Sequence, residues 1–292
     1  MVSVVIATYR REQSLSNALA SLVEQTYKDF EVVIVDDNAD SSWNKKVEAI
    51  IAVFEPLLKI KYIQNSSNQG SAKTRNIGIA ESNGEFITFL DDDDLYLPEK
   101  IEVQVKQMIK ERSDYSLMNL SLYNDDETLS EVRNRDYLLT DESRDLMLCH
   151  LKYHMTGTDT MMFKRKYLSS FGGFEAIDVG DEFYLMTKAI EKNGRFSYCE
   201  SCAVKAYVHT GDGGLSSGQQ KIDGENSLYV FKKRFFPNLS LKNRRYIRMR
   251  HYAVLAFAFK RKGSFLRFII SGAFSFFSSP VQCLRLLKNL KR

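Results

Sequence analysis

The chain has 292 residues, 44% of them hydrophobic, with a formal net charge of +4. The length admits one large domain, or one domain with an extension, and the hydrophobic share is that of a globular protein rather than a disordered one. The small net charge hides an asymmetry: residues 226–292 carry 16 Lys and Arg and no acid, which leaves 25 bases against all 37 acids in the rest of the chain.

Residues 2–7 form a short, mostly β-branched apolar run that suits a strand buried on both faces. Leu15, Ala18, Leu19, Leu22 and Val23 follow at helical spacing. A second strand is predicted over 30–35, ending in Asp36-Asp37-Asn38. Then come a helix over 43–54, a strand over 60–63, a helix over 71–82 and a strand over 85–90. Strands alternating with helices predict a mostly parallel sheet. Strands one, two and four end in Thr8-Tyr9-Arg10, Asp36-Asp37 and Asp91 to Asp94. On one rim of a sheet, those three ends form a single cleft.

The four aspartates carry the sharpest chemical signal. An acidic surface turn accounts for one or two of them. Four in a row at the C-terminal end of a buried strand predict a site, because ligands of open α/β sheets bind there. In an extended segment Asp91 and Asp93 share one side, and Asp92 and Asp94 the other. A pair of carboxylates on one side suits a hard divalent cation, which would in turn hold a diphosphate.

Asp181 follows Gly180 and opens a helix-like stretch over 182–192. An acid at a helix N-terminus is stabilised as the anion, and it is also a favoured cap. Cys199 and Cys202 form a C-x-x-C with no second pair, so zinc is not expected. Their flanks read as strand, and ordinary reduced thiols of a cytosolic protein are expected. The N-terminus lacks a basic stretch and its apolar run is too short for a signal peptide. His209 precedes Gly211, Gly213 and Gly214, a loop able to close over a ligand. His154 lies beside 156–160, a stretch that together with 119–141 is read as shaping an acceptor side.

The basic tail predicts helices over 228–236 and 241–259, split by Pro237. Residues 265–277 are largely aromatic and aliphatic, with Arg267, Ser271 and Ser275 as a narrow polar stripe. Ser279-Pro280 is a helix restart. The uncharged stretch 268–284 falls short of the ~20 apolar residues of a spanning helix. It fits a helix lying in a membrane interface, anchored by bases on anionic lipid. Packing on the protein's own core or in a homodimer is the alternative. No RNA or DNA motif accompanies the charge, so nucleic acid is not an expected partner.

The order and spacing of several stretches resemble the family 2 glycosyltransferases, which have the GT-A fold. These are residues 3–10, Gln25-Thr26-Tyr27, Val35-Asp36-Asp37-Asn38, Asn68-Gln69-Gly70 to Arg75-Asn76, residues 89–94, Gly172-Gly173-Phe174 and Gly180-Asp181-Glu182. The similarity covers roughly the first three quarters of the chain. It implies an α/β fold with a Rossmann-like, mostly parallel sheet flanked by helices, and a helical, basic C-terminal extension. By the resemblance, Ala7, Thr8 and Tyr9 hold the base and ribose, and Asp37 accepts from a uracil-like base. Lys73 and Arg75 lie on the nucleotide side, with Arg75 equally suited to partner the acidic strand ends. Asp91 to Asp93 cover the DxD signature, with Asp93 on the metal and Asp92 or Asp91 facing the ribose; four aspartates leave that register open by one residue. His209 is the second metal-side candidate. Asp181 is the implied general base, with Glu182 beside it.

The resulting expectation is an inverting transferase. It moves a sugar from a nucleotide diphosphate sugar, a UDP-sugar, to a saccharide or lipid-linked saccharide acceptor, with Mg²⁺ or Mn²⁺ on the diphosphate. Domains are expected at 1–222 (catalytic), 223–262 (helical extension) and 263–292 (membrane-associating tail), in a cytoplasmic enzyme peripheral on the inner face of the cell membrane. Two rivals are a metal-dependent phosphotransferase using the aspartates and a non-catalytic, membrane-bound sugar-nucleotide binder.

Overall fold

The structure, a computed structural model, describes residues 1–138, 142–177, 180–208 and 218–289. The chain divides into two compact units, each considered by itself. Among the described residues, the first holds all strands. In order, its elements are β1 (Val2–Thr8), α1 (Gln13–Val23), β2 (Phe30–Asp36), α2 (Ser41–Phe54), β3 (Ile60–Gln64), α3 (Ser71–Ala80), β4 (Phe86–Phe89), β5 (Leu95–Tyr96), α4 (Lys100–Glu111), β6 (Tyr115–Met118), β7 (Leu120–Asn124) and β8 (Leu129–Arg133). α5 (Ser143–Tyr153), whose residues from Leu148 on belong to the second unit, is followed by β9 (Met161–Lys164), α6 (Arg165–Ser169), α7 (Asp181–Glu191), β10 (Phe196–Cys199) and β11 (Val204–Val208).

Seven strands form one sheet in the order β10-β6-β9-β4-β1-β2-β3. All its neighbours are parallel except β9, which runs antiparallel between β4 and β6. The fold is thus the mostly parallel α/β sheet expected. β1 is central, and Val2, Val4, Val5 and Ile6 are buried. Burial on both faces is why this strand reads as a continuous apolar run rather than an alternating one. Leu15, Ala18, Leu19 and Leu22 of α1 are wholly buried, at the spacing of one helical face. Asp40 caps α2 by accepting from the Ser42 and Trp43 amides.

Register sets the rim. Thr8 lies opposite Asp36, so β1 and β2 end side by side; β4 ends opposite Val5, and the chain after it brings Asp92 to Thr8. A second sheet, β5-β11-β7-β8, lies in the same unit.

The second unit comprises Leu148–His154, Gly180 and the described residues after 217. Its helices are α8 (Gly218–Lys233), α9 (Leu241–Arg261), α10 (Phe265–Ser278) and α11 (Pro280–Asn289). Residues 223–262 and 263–289 therefore pack within one unit. Ser240 caps α9 through the Asn243 amide at 3.3 Å. His251 pairs with Glu225 at 3.1 Å and stacks on Tyr229 with ring centroids 4.0 Å apart.

Gly78 brings α3 onto the central strand. A Cβ there would stand 2.3 Å from Val5 Cγ1, whereas one at Gly272 of α10 meets nothing within 4 Å. Gly78→Ala is expected to cost ~1–3 kcal/mol through overpacking, and Gly272→Ala to stabilise by up to ~1 kcal/mol through helix propensity. Urea denaturation of the two variants checks this; equal shifts in both would contradict the close approach.

Candidate active site

The acidic tetrad is a turn, not an extension of β4. The Asp94 amide donates to the Asp91 carbonyl at 3.1 Å, the closure of a β-turn. Four carboxylates on a turn fan outward, so each meets a different element. Asp91 takes the Arg75 guanidinium of α3 at 2.6 Å. Asp92 accepts from Thr8 Oγ1 at 2.7 Å and from the Tyr9 amide at 3.3 Å. Asp93 pairs with Arg11 at 2.7 Å. Asp94 accepts from the Tyr207 amide at 2.9 Å. Asp91 and Asp93 keep 32% and 19% of their side-chain surface exposed, while Asp92 and Asp94 are buried.

Asp159, in the loop before β9, joins from behind. Its carboxylate accepts from the Asp91 amide at 2.6 Å. Carboxyl oxygens of Asp91, Asp94 and Asp159 lie within 4.8 Å of one another. Burial, then Asp91, pushes the Asp159 pKa up to about 7. Burial, then Asp159, lifts that of Asp94 well above the ordinary carboxylate range. The two side chains are hydrogen-bonded to each other, and both shifts favour a neutral carboxyl in the pair. Asp92 is pushed to about 7 by burial and then by Asp93, against the Thr8 hydroxyl.

Arg75 joins the turn to α7. Its second nitrogen meets Asp181 Oδ2 at 3.0 Å, its side chain is 11% exposed, and its guanidinium lies 5.5 Å from the Phe174 ring centre. Burial opposes the Arg75 charge, but Asp91 and Asp181 outweigh it and hold the cation. Burial raises the Asp181 pKa, and Arg75 opposes the rise. Glu182 turns away: its carboxylate accepts from the Gly157 amide at 2.7 Å and from Thr158 Oγ1 at 3.3 Å. Asp181 thus faces the turn, and Glu182 anchors a loop.

Across the rim, Asp37 accepts from Asn65 Nδ2 at 2.8 Å and from the Gln69 and Gly70 amides at 2.7 and 2.9 Å. It ties the loop ahead of α3 to the end of β2. Asp36 accepts from Tyr62 Oη at 2.6 Å. Ala7 is half-buried, Tyr9 is 44% exposed, and Lys73 lies exposed on α3. His209 lies outside the described residues. His154 belongs to the second unit, with Nε2 2.5 Å from Lys232 Nζ. Cys199 is buried, Cys202 half-buried, and both are free thiols in the strand-flanked segment expected.

Three residues at this site were not singled out by the sequence reading. Arg11 had a signal, a second base directly after β1. Asp159 lies in the stretch 156–160 expected on the acceptor side, but its contact with the turn had no local signal, because it joins residues 68 positions apart. Lys100 stands fully buried behind the turn, donating to Thr88 Oγ1 at 2.6 Å and Tyr96 Oη at 3.0 Å. Burial lowers its pKa to about 7. Tyr96 in turn donates to the Phe89 carbonyl at the end of β4.

Residues 3–172 match the family model described as glycosyl transferase family 2. An uncharacterised glycosyltransferase of Methanocaldococcus jannaschii is 32% identical over 221 residues, 74% of this chain and 73% of that one. The UDP-Glc:alpha-D-GlcNAc-diphosphoundecaprenol beta-1,3-glucosyltransferase WfgD of Escherichia coli is 32% identical over 124 residues, 42% of this chain and 47% of that one. Residues 1–349 of S. aureus TarS, solved in complex with UDP-GlcNAc, superpose with a TM-score of 0.63 at 16% identity, over 94% of this chain and 91% of that one. That last likeness bears on the fold alone, which is GT-A. The extent of the family match and the relative covering three quarters of the chain carry the assignment: this protein belongs to glycosyl transferase family 2 and is a glycosyltransferase.

Proposed function

We propose that the protein is an inverting glycosyltransferase that moves a sugar from a UDP-sugar to a hydroxyl of a lipid-linked saccharide at the inner face of the cell membrane, in the building of a surface polysaccharide. The observation that carries the reading is Arg75, which holds Asp91 of the acidic turn and Asp181 at the head of α7 with one guanidinium. A carboxylate in the cleft, close to the turn yet separate from it, is what attack on a bound donor sugar needs. The E. coli relative, named for UDP-Glc and a diphosphoundecaprenol-linked sugar, supports the donor nucleotide and the lipid carrier.

In this reading Ala7, Thr8, Tyr9 and Asp37 receive the nucleoside, with Asp92 beside Thr8 facing the ribose, and Lys73 and Arg75 flank the nucleotide side. Asp181 accepts the proton of the acceptor hydroxyl as that oxygen attacks the anomeric carbon opposite the leaving diphosphate. Burial raises the Asp181 pKa toward the working range of a base. Arg75 orients the carboxylate and keeps it from being neutralised. Glu182, committed to Gly157 and Thr158, is a positioning residue for the loop.

A divalent cation of the Mg²⁺ or Mn²⁺ type fits the oxygen donors of the turn. When bound it neutralises the diphosphate and makes it a better leaving group. Asp93 is the residue we assign to hold it, because its carboxylate is accessible and its partner Arg11 is a 37% exposed side chain. Asp94 and Asp159 are buried, and each already accepts a backbone amide, from Tyr207 and Asp91 respectively.

Calorimetric titration with UDP should give weaker binding in EDTA than in Mn²⁺. Asp93→Ala should abolish that difference, while Asp94→Ala should lower thermal stability and keep it. Equal affinities in Mn²⁺ and EDTA for the wild type would remove the cation from the reading. Asp181→Asn should lower transfer by ~10²–10⁴-fold with UDP affinity unchanged. Near-normal turnover there, with loss in Glu182→Gln, would move the base to Glu182. Arg75→Met leaves Asp91 and Asp181 without their shared cation. It should cost about 3 kcal/mol or more in urea denaturation, partly restored by adding Asp91→Asn; no restoration would mean that Arg75 acts through packing.

A further inference from the structure

The last two helices are amphipathic in the reverse sense. Ser271 and Ser275 of α10 are buried, and Ser275 Oγ donates to the Met249 carbonyl of α9 at 2.9 Å. Cys283 of α11 is buried beside it, its sulfur 3.6 Å from Ser275 Oγ. Small polar side chains thus fill the buried middle of the seam that folds the pair onto α9. Large apolar ones face outward: Phe265, Leu266, Ile269, Phe277 and Leu284 are 50–74% exposed, while Phe274 stacks on Tyr252 of α9 with ring centroids 5.1 Å apart. An ordinary surface helix does the opposite. A concentrated apolar face of this kind marks an interaction site.

Charge selects the occupant. Lys260, Lys262, Arg267, Arg285 and Lys288 are exposed on and beside these helices, and residues 226–292 contain no acid. A second copy meeting this face across a two-fold axis would set the same bases against one another, with no carboxylate of the segment to neutralise them. An anionic bilayer supplies both missing components, hydrocarbon for the phenylalanines and phosphate for the bases. α10 and α11 have 14 and 10 residues, short of the ~20 that span a bilayer. Among the described residues no helix is long and apolar enough to cross one.

We propose that the outer face of α10 and α11 is a docking surface for anionic phospholipid, lying flat in the headgroup layer with the serine seam turned toward α9. The proposal rests on the membrane location in the reading above and deepens it by naming the surface that meets the lipid. It is tested without donor or acceptor, so the two readings fail separately.

The test is co-sedimentation of the full chain with vesicles of equal phosphatidylglycerol and phosphatidylcholine, and with phosphatidylcholine alone. Binding is expected to favour the anionic vesicles and to weaken at high salt. Arg285→Gln with Lys288→Gln should weaken anionic binding by about five-fold per base removed. Phe265→Ser with Phe277→Ser, at exposed positions, should weaken binding to both vesicles more than ten-fold and leave UDP affinity intact. Sedimentation velocity without lipid gives the other arm. A dimer that the phenylalanine pair abolishes, with no vesicle binding by the wild type, would make the face a subunit interface and overturn the proposal. A monomer that binds neither vesicle would overturn it too.

Discussion

Everything at the rim of the sheet answers to one constraint: four carboxylates in succession at the end of a buried strand. Two such charges within 4.8 Å repel by roughly 3 kcal/mol at an effective dielectric of about 20. The chain resolves this by geometry and by partners. The turn closed between Asp91 and Asp94 splays the side chains. Thr8 and Tyr9 arrive from β1, Arg11 from the loop after it, Arg75 from α3 and Tyr207 from β11. Asp159 adds charge beside Asp91 and Asp94, and the raised pKa values of Asp94 and Asp159 favour a neutral carboxyl there. The parts of the cleft are positioned by the requirement to satisfy the turn.

In the proposed reading, that arrangement links the donor side of the site to the base. Arg75 is nearly buried and forked, and it spends one nitrogen on the turn and the other on Asp181. A planar guanidinium presents its nitrogens in a fixed fork, a geometry that a compact ammonium lacks. The same bookkeeping weighs against a phosphotransferase that attacks through an aspartate. Each carboxylate of the turn already has a hydrogen-bonded or charged partner, which lowers its nucleophilicity.

Much of this was legible in the residues, for identifiable reasons. β1, β2 and β4 are buried on both faces, so their apolar runs mark them, and the polar residues that end them mark the rim. Arg75 was read both as a nucleotide-side residue and as a partner of acidic strand ends, and the second geometry is present. The alternation of Asp91 to Asp94 along a strand did not carry over, because a run of aspartates favours a turn. The antiparallel β9 had no local signature: its place between β4 and β6 is set by pairing with strands far away in sequence. The contact of Asp159 with the turn and the place of Lys100 were invisible for the same reason. The serines of α10 were seen as a polar stripe, and their burial against α9 depends on a backbone carbonyl that no periodicity reveals.

The most direct test of the account is the stereochemistry of the sugar as it leaves the donor. A single carboxylate at Asp181, acting on a hydroxyl or a water opposite the diphosphate, allows one displacement and hence inversion. Proton NMR of the sugar first released from an α-linked UDP-sugar, followed faster than mutarotation, reads this without a known acceptor. The account predicts the β-anomer. Initial release of the α-anomer would contradict it, because retention requires a second displacement or a route that does not use Asp181 as proposed.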